Sequence, residues 1–328
     1  MNILITGIHG FVGSNLVSAL KKKHQIYGLD IVAAEKDGVI NTFSWDDLDK
    51  EMPEFDAVIH LAGKAHDTKN KSAAETYFRI NTGLTQRIFD WFLVQSSIKK
   101  FIFFSTVKSA ADSVQGGILT EECVPIPIGP YGESKIQAEN YIIEKFVPEA
   151  LDNLYHAFGD SSVYPDKQVY IMRPCMIHGP GNKGNLNLLY NVVSKGIPWP
   201  LGAFENHRSF TSIQNLCTVI EGLLTQKVVS GIYHMADDEA LSTNELIEVI
   251  CEVLGKKANI WCIPKGVMNV MAKIGGWLHL PLNPNRMQKL VENYVVSNAK
   301  IKKVLGLQKM PVSAKEGLTY TILSFKKR

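Results

Sequence analysis

The chain's first apolar run, Asn2 to Thr6, leads directly into TGIHGFVG, so Gly7, Gly10 and Gly13 fall between a strand pattern and an amphipathic helix pattern. Few features narrow a fold further. Glycine is required there because the chain turns tightly, because backbone must approach a pyrophosphate closely, and because the helix must seat on the strand. The phosphates then lie at the positive end of the helix, against Phe11 and Val12 as well as the glycines. A second strand pattern ends at Asp30 in YGLD. A carboxylate at that position accepts hydrogen bonds from an adenosine ribose diol and repels a 2′-phosphate, so the expected cofactor is NAD rather than NADP.

Beyond the glycine loop the same rhythm continues. NILIT, QIYGLD, DAVIHLAG, KFIFFST and VYIMRP are strand-like, with helix-length segments between most of them. Continuous apolar strands separated by helices predict a parallel sheet covered on both faces. The fold class is therefore α/β, a Rossmann-type doubly wound parallel sheet with a smaller α/β substrate-binding lobe. After RPCMIHGPGNKGN the rhythm loosens into a helix pattern from Leu186 to Lys195, a Pro- and Gly-rich loop, the strand-like GIYHMAD, and a helix opened by a Ser242 and Glu245 capping box. This divides the chain into a dinucleotide-binding domain over 1–175, with a return segment at about 208–235, and a substrate lobe over 176–207 and 236–328.

Composition excludes several classes. The formal charge is only +3 and the basic residues are scattered, apart from Lys21-Lys22-Lys23 and the terminal Lys326-Lys327-Arg328, so no nucleic-acid partner is expected. The first triplet follows the Phe11 to Leu20 run and reads as cation placement at a helix C-terminus. Cys123, Cys175, Cys217, Cys251 and Cys262 form no C-x-x-C pair and have no matching histidine spacing, which fits a reduced cytoplasmic protein without a metal. The N-terminal MNILITGIHGFVG lacks a basic n-region, and no apolar run approaches a membrane span.

The reaction centre is read from three residues. In GPYGESK, Tyr131 and Lys135 stand one helical turn apart, and Thr106 in FFSTVKS precedes Tyr131 by 25 residues. That interval lets a strand end and a later helix start face one nicotinamide. A phenol titrates near 10 and is a poor base at neutral pH. A lysine one turn on, with the positive ring, favours the phenolate and is expected to lower its pKa. The Thr106 hydroxyl would hold the substrate oxygen and relay the proton.

With TGIHGFVG, HLAG at His60 to Gly63, Asn81 in RINTGLT, STVKS, YGESK and RPCMIHGPG in this order, the chain resembles the extended short-chain dehydrogenase/reductase family, the NAD-dependent nucleotide-sugar epimerases and dehydratases. In the second half, GIPWPLGAFENHRSFTSIQNL is similar to that family's substrate-lobe segment. The resemblance implies that Leu61, Ala62 and Gly63 line the middle of the cofactor and that Asn81 supports the active-site helix. It also implies that Lys135 reaches the nicotinamide ribose, and that Lys108, Asn185 and Arg208 meet the substrate, Arg208 at its diphosphate. The partner it implies is a nucleotide sugar, UDP-linked, with a homodimer as the assembly.

Departures from the family pattern are few. The usual strand-end serine is Thr106, as in the family's dehydratases, and a tyrosine common in the last motif is His178. The segment 151–166 is longer than the family's usual connection and has no functional account. His60, His66, His178 and His207 share no metal spacing and read as loop or core residues. Lys108 is either a solvated cation or the lysine of an element seen in enzymes acting on N-acetylated UDP-sugars. In VMNVMAKIGGWLHL, one helix face collects Val267, Val270 or Met271, Ile274 and Trp277 or Leu278. Packing within the small lobe is expected for it, since the helix's other face has few cations; the other reading is contact with a lipid-linked sugar at a membrane.

Together these point to a nucleotide-sugar 4-epimerase acting on a UDP-hexose or UDP-N-acetylhexosamine by hydride transfer at C4. A 4-ketoreductase of a UDP-4-keto-6-deoxy sugar uses the same residues, and a non-catalytic NAD-binding relative needs only the glycine loop.

Overall fold

The computed structural model of the protein describes residues 1–64, 73–114, 117–148, 158, 162–277 and 284–326. The strands are β1 (Asn2–Thr6), β2 (Gln25–Leu29), β3 (Thr42–Phe43), β4 (Ala57–His60), β5 (Lys100–Phe104), β6 (Ile118–Leu119), β7 (Gln168–Pro174), β8 (Met176–His178), β9 (Phe210–Ser212), β10 (Gly231–Met235) and β11 (Val295–Val296). Seven of them form one parallel sheet in the order β10-β7-β5-β4-β1-β2-β3. All five strand-like runs of the first half lie in it. β3 was not legible because two residues carry no periodicity.

The helices are α1 (Phe11–Leu20), α2 (Ala74–Tyr77), α3 (Leu84–Val94), α4 (Pro130–Phe146), α5 (Asn185–Ser194), α6 (Ile213–Thr225), α7 (Thr243–Leu254), α8 (Lys265–Trp277), α9 (Pro284–Val291), α10 (Ala299–Leu305) and α11 (Ala314–Lys326). Strand alternation divides the core into two layers. Ile3 and Ile5 meet Leu16 and Leu20 of α1 and Leu216, Ile220 and Leu223 of α6, whereas Leu4 and Val58 meet Ile88, Phe89 and Phe92 of α3 and Ile142 and Ile143 of α4. Each strand is thus apolar throughout because both of its faces are covered.

The second half adds short parallel pairs, β8 with β9 and β6 with β11, and a core of α5, α7 and α11 residues around Leu186, Ile247, Ile250, Leu318 and Ile322. The Ser242 and Glu245 capping box opens α7 as expected, with the Ser242 N–H donating to Glu245 Oε2 at 2.6 Å and the Glu245 N–H to Ser242 Oγ at 3.1 Å. One expectation fails. In α8 it is Met268 and Ala272 that face inward, against Leu201 and Met287, while Val267, Val270, Met271, Ile274 and Trp277 are exposed. Among the described residues of α8 the buried stripe is Met268 and Ala272, an i,i+4 pair that periodicity could not rank above the longer apolar run beside it. Leu278, His66, Lys327, Arg328 and most of 151–166 lie outside the described residues.

Candidate active site

The glycine loop is shaped by contacts that leave no room for side chains. Gly7 has φ +67°, and a Cβ there would stand 2.9 Å from the Ala62 nitrogen. A Cβ on Gly13 would stand 2.7 Å from the carbonyl oxygens of both Gly7 and Ile8. The loop therefore packs directly on the end of β4, and α1 begins at Phe11 with Val12 and Gly13 in its first turn. Asp30 closes the far side: its Oδ2 accepts from the His9 N–H at 3.0 Å and its Oδ1 from the Ile31 N–H at 2.8 Å. A bare glycine cradle at a helix start, with a carboxylate at the end of the next strand, fits an adenine dinucleotide.

A buried chain of hydrogen bonds ties this loop to the turn that carries Asn81. Thr6 Oγ1 accepts from the N–H groups of Leu61 at 3.2 Å and Ala62 at 3.0 Å, and donates to His60 Nδ1 at 2.7 Å. His60 Nε2 then donates to Thr85 Oγ1 at 2.9 Å, and that hydroxyl donates to the Asn81 carbonyl at 2.6 Å. The partners assign the tautomer. Burial, and then the charge of Lys135, hold the His60 pKa well below its ordinary value, so the ring stays neutral in this chain of bonds. His60 is a core residue, as its sequence context suggested.

Asn81 lies in a π-helical turn, Phe78–Gly83, between α2 and α3. Its amide joins the Lys64 backbone to α4. Oδ1 accepts from the Lys64 N–H at 2.7 Å, and Nδ2 donates to Ser134 Oγ of α4 at 2.9 Å. A Cβ on Gly63 would meet Asn81 Oδ1 at 3.0 Å and Lys135 Nζ at 3.2 Å, so this glycine keeps the backbone close to both.

Thr106 leaves the end of β5, and Tyr131 begins α4 behind a Pro130 at the first helical position, where proline's fixed φ suits helix initiation. A side-chain hydrogen bond joins Tyr131 to Thr106. Lys135, one turn later, is buried, donates to the Phe104 carbonyl at 2.8 Å and lies 4.9 Å from the centre of the Phe103 ring. Burial lowers its pKa to about 8, against an upward pull from Glu139. For Tyr131 the expected downward shift is not what the protein alone produces. Burial raises its pKa, the Thr106 hydrogen bond opposes this, and Tyr77 adds to the rise. Desolvation of a phenolate outweighs one hydrogen bond.

Beneath these residues lies a charged pair that the sequence reading missed. Glu139, i+4 from Lys135, and Arg173, from the end of β7, are both fully buried. Arg173 donates to Glu139 through Nε at 3.0 Å and Nη2 at 2.5 Å, and Ser109 Oγ donates to the same carboxylate at 2.6 Å. Ser105, beside Thr106, is bonded to it as well. The available signal was a carboxylate continuing the face of Tyr131 and Lys135 along an otherwise apolar helix side.

The residues expected at the substrate stand on separate elements of the fold. Lys108 Nζ donates to the Asp112 carbonyl at 2.6 Å and lies 4.5 Å from the centre of the Tyr294 ring. Arg208 Nη2 donates to Glu292 Oε1 at 3.2 Å. Asn185 is exposed at the first turn of α5. His178 is buried, with Nδ1 2.9 Å from Thr321 Oγ1, and is a core residue; His207 is exposed.

Residues 3–236 match the NAD dependent epimerase/dehydratase family. The chain belongs to this family. It is 30% identical to a UDP-glucose 4-epimerase of Vibrio cholerae, over 99% of this chain and 95% of the relative. It is 25% identical to an N-acetyl-alpha-D-glucosaminyl-diphospho-ditrans,octacis-undecaprenol 4-epimerase of Escherichia coli O157:H7, over 92% of this chain and 85% of the relative. Among solved structures, the UDP-glucose 4-epimerase of Thermotoga maritima with UDP-glucose superposes with a TM-score of 0.71 at 22% identity, covering 100% of this chain and 99% of that one. The UDP-glucuronic acid 4-epimerase of Bacillus cereus in complex with NAD gives 0.70 at 20% identity, with the same coverage. As a member of this NAD-dependent enzyme family, the protein takes NAD as its cofactor, and the cradle of Gly7, Gly10 and Gly13 fits it.

Proposed function

We propose that the protein is a nucleotide-sugar 4-epimerase that interconverts a UDP-hexose or UDP-N-acetylhexosamine with its C4 epimer. The observation that carries this is the hydrogen bond between Tyr131 and Thr106, one helical turn from the buried Lys135, on a chain alignable over its length with a UDP-glucose 4-epimerase. A protein that only bound NAD would need no such proton relay.

NAD, when bound, supplies hydride chemistry at the sugar carbon. The chain's own residues handle the proton. Thr106 fixes the C4 oxygen, Tyr131 removes and returns its proton, and Lys135 holds the cofactor's ribose and offsets charge on the phenol. Gly7, Gly10, Phe11, Val12, Gly13 and Asp30 grip the adenosine end, and Leu61, Ala62, Gly63 and Asn81 the middle. Lys108, Asn185 and Arg208 face the nucleotide sugar, Arg208 on its diphosphate. Residues 1–175 with 208–235 form the cofactor domain, and 176–207 with 236–328 the substrate lobe. A cytoplasmic homodimer completes the proposal.

The test is incubation of the purified protein with UDP-glucose or UDP-N-acetylglucosamine and no added nucleotide. Appearance of the C4 epimer is the expected result. Absence of epimer, together with stoichiometric oxidation of added NADH by a UDP-4-keto-6-deoxy sugar, would replace the epimerase with a 4-ketoreductase.

A further inference from the structure

The exposed face of α8 is larger than the scattered apolar residues of an ordinary surface. Val267, Val270, Met271, Ile274 and Trp277 fall at i, i+3, i+4, i+7 and i+10, and Trp277 is 80% exposed. Trp261, on the segment leading into the helix, is 53% exposed. No described helix is long and apolar enough to cross a membrane, so this is a face and not a span.

Charge around the face says what covers it. Between Glu252 and Glu292 the chain has no acidic residue, and within that interval stand Lys256, Lys257, Lys265, Lys273, Arg286 and Lys289. The whole chain carries only +3, so the rest of it is net acidic and the positive charge is concentrated in this stretch of the sequence, with Lys256 reaching the Ser194 carbonyl of α5 and Lys265 and Lys273 on α8 itself. Lys256, Lys257, Lys265 and Lys273 are exposed. Lys273 and Asn269 occupy the arc of α8 beyond the apolar stripe, and Lys265 stands at its first residue. The helix alone has few cations, but the acid-free segment that carries it has many.

We propose that α8, with the lysines flanking it, docks on the surface of an anionic phospholipid bilayer. Apolar side chains on one face with lysines beside them, and tryptophans at the margin between apolar and wet, are what an interfacial helix requires. A second copy presenting the same face would bring the same positive charge against it, which disfavours a symmetric self-contact. Docking there does not depend on which sugar is the substrate. It does place the substrate lobe beside a surface on which lipid-linked substrates are held.

Sedimentation with vesicles tests this, using equal parts phosphatidylglycerol and phosphatidylcholine against phosphatidylcholine alone. The full chain is expected to sediment with the first and to be released by salt, because screening weakens the lysine contribution. Lys265→Gln and Lys273→Gln are each expected to lower partitioning roughly fivefold, and Ile274→Ser with Trp277→Ser by about tenfold or more. Unchanged NAD affinity in each variant shows that it is folded; should the apolar pair fail that control, the lysine variants and the salt titration decide alone. The proposal is overturned by no sedimentation, by equal sedimentation with both vesicle types, or by variants that sediment like the parent. It is also overturned if the variants instead abolish an oligomer in analytical ultracentrifugation, which would make the face a protein contact.

Discussion

Tyr131 and Thr106, from the start of α4 and the end of β5, are joined by a side-chain hydrogen bond, although 25 residues separate them in sequence. In the proposed reaction Tyr131 takes the substrate's proton and Thr106 holds its oxygen. Tyr131→Phe removes the proton carrier and leaves the ring's packing in place. Turnover is expected to fall by at least about 10²-fold, the usual worth of a general acid or base, with NAD affinity nearly unchanged. Retained turnover in a steady-state assay would remove Tyr131 from the reaction.

Lys135 predicts a pH dependence of stability. Burial lowers its folded pKa to about 8, below the roughly 10.4 of an unfolded lysine. Below pH 8 both states are protonated and the buried ammonium costs stability. Between about 8 and 10 the folded state releases the proton first, so that cost is relieved as pH rises. Lys135→Met has no such relief. The wild type's Tm relative to that variant should therefore move in the wild type's favour between pH 7 and 9.5, and the comparison cancels other titrating groups such as Lys167. A constant difference in thermal melts would show that Lys135 does not titrate low.

Asp30 accepts from the His9 N–H inside the glycine loop. Asp30→Ala should weaken NAD binding and relax the exclusion of NADP, measured by calorimetric titration with both. A wild type that already prefers NADP would overturn the assignment of Asp30 to the ribose diol.

Glu139 and Arg173 form a fully buried pair. Glu139→Leu leaves the guanidinium without its carboxylate, a change that typically costs about 3–5 kcal/mol. Denaturant unfolding should show a loss of that order, while the double variant Glu139→Leu with Arg173→Met should recover most of it. A single variant as stable as wild type would mean that the pair contributes nothing to the fold.

Arg208 is held by Glu292 at 3.2 Å. Arg208→Ala is expected to raise the apparent KM for a UDP-sugar well beyond any change in NAD affinity, because a guanidinium fork matches a diphosphate. An unchanged KM would take Arg208 out of the substrate site.

Gly7, Gly10, Gly13, Asp30 and the run of apolar strands were legible in the sequence because their constraints are local. A tight turn needs glycine, and a strand covered on both faces must be apolar throughout. Tyr131 and Lys135 were legible for the same reason, since one helical turn puts them on one face. The Glu139 and Arg173 pair was not, because its meaning is burial, and burial arises only when β7 and α4 pack together. The raised pKa of Tyr131 belongs to the same class, since only the packed fold supplies the desolvation, which outweighs the hydrogen bond with Thr106. In α8 the sequence determined that an apolar stripe exists, and tertiary packing decided that Met268 and Ala272 turn inward while the stripe beside them stays exposed. Periodicity defines the faces of a helix; which face is buried depends on what the rest of the chain brings against it.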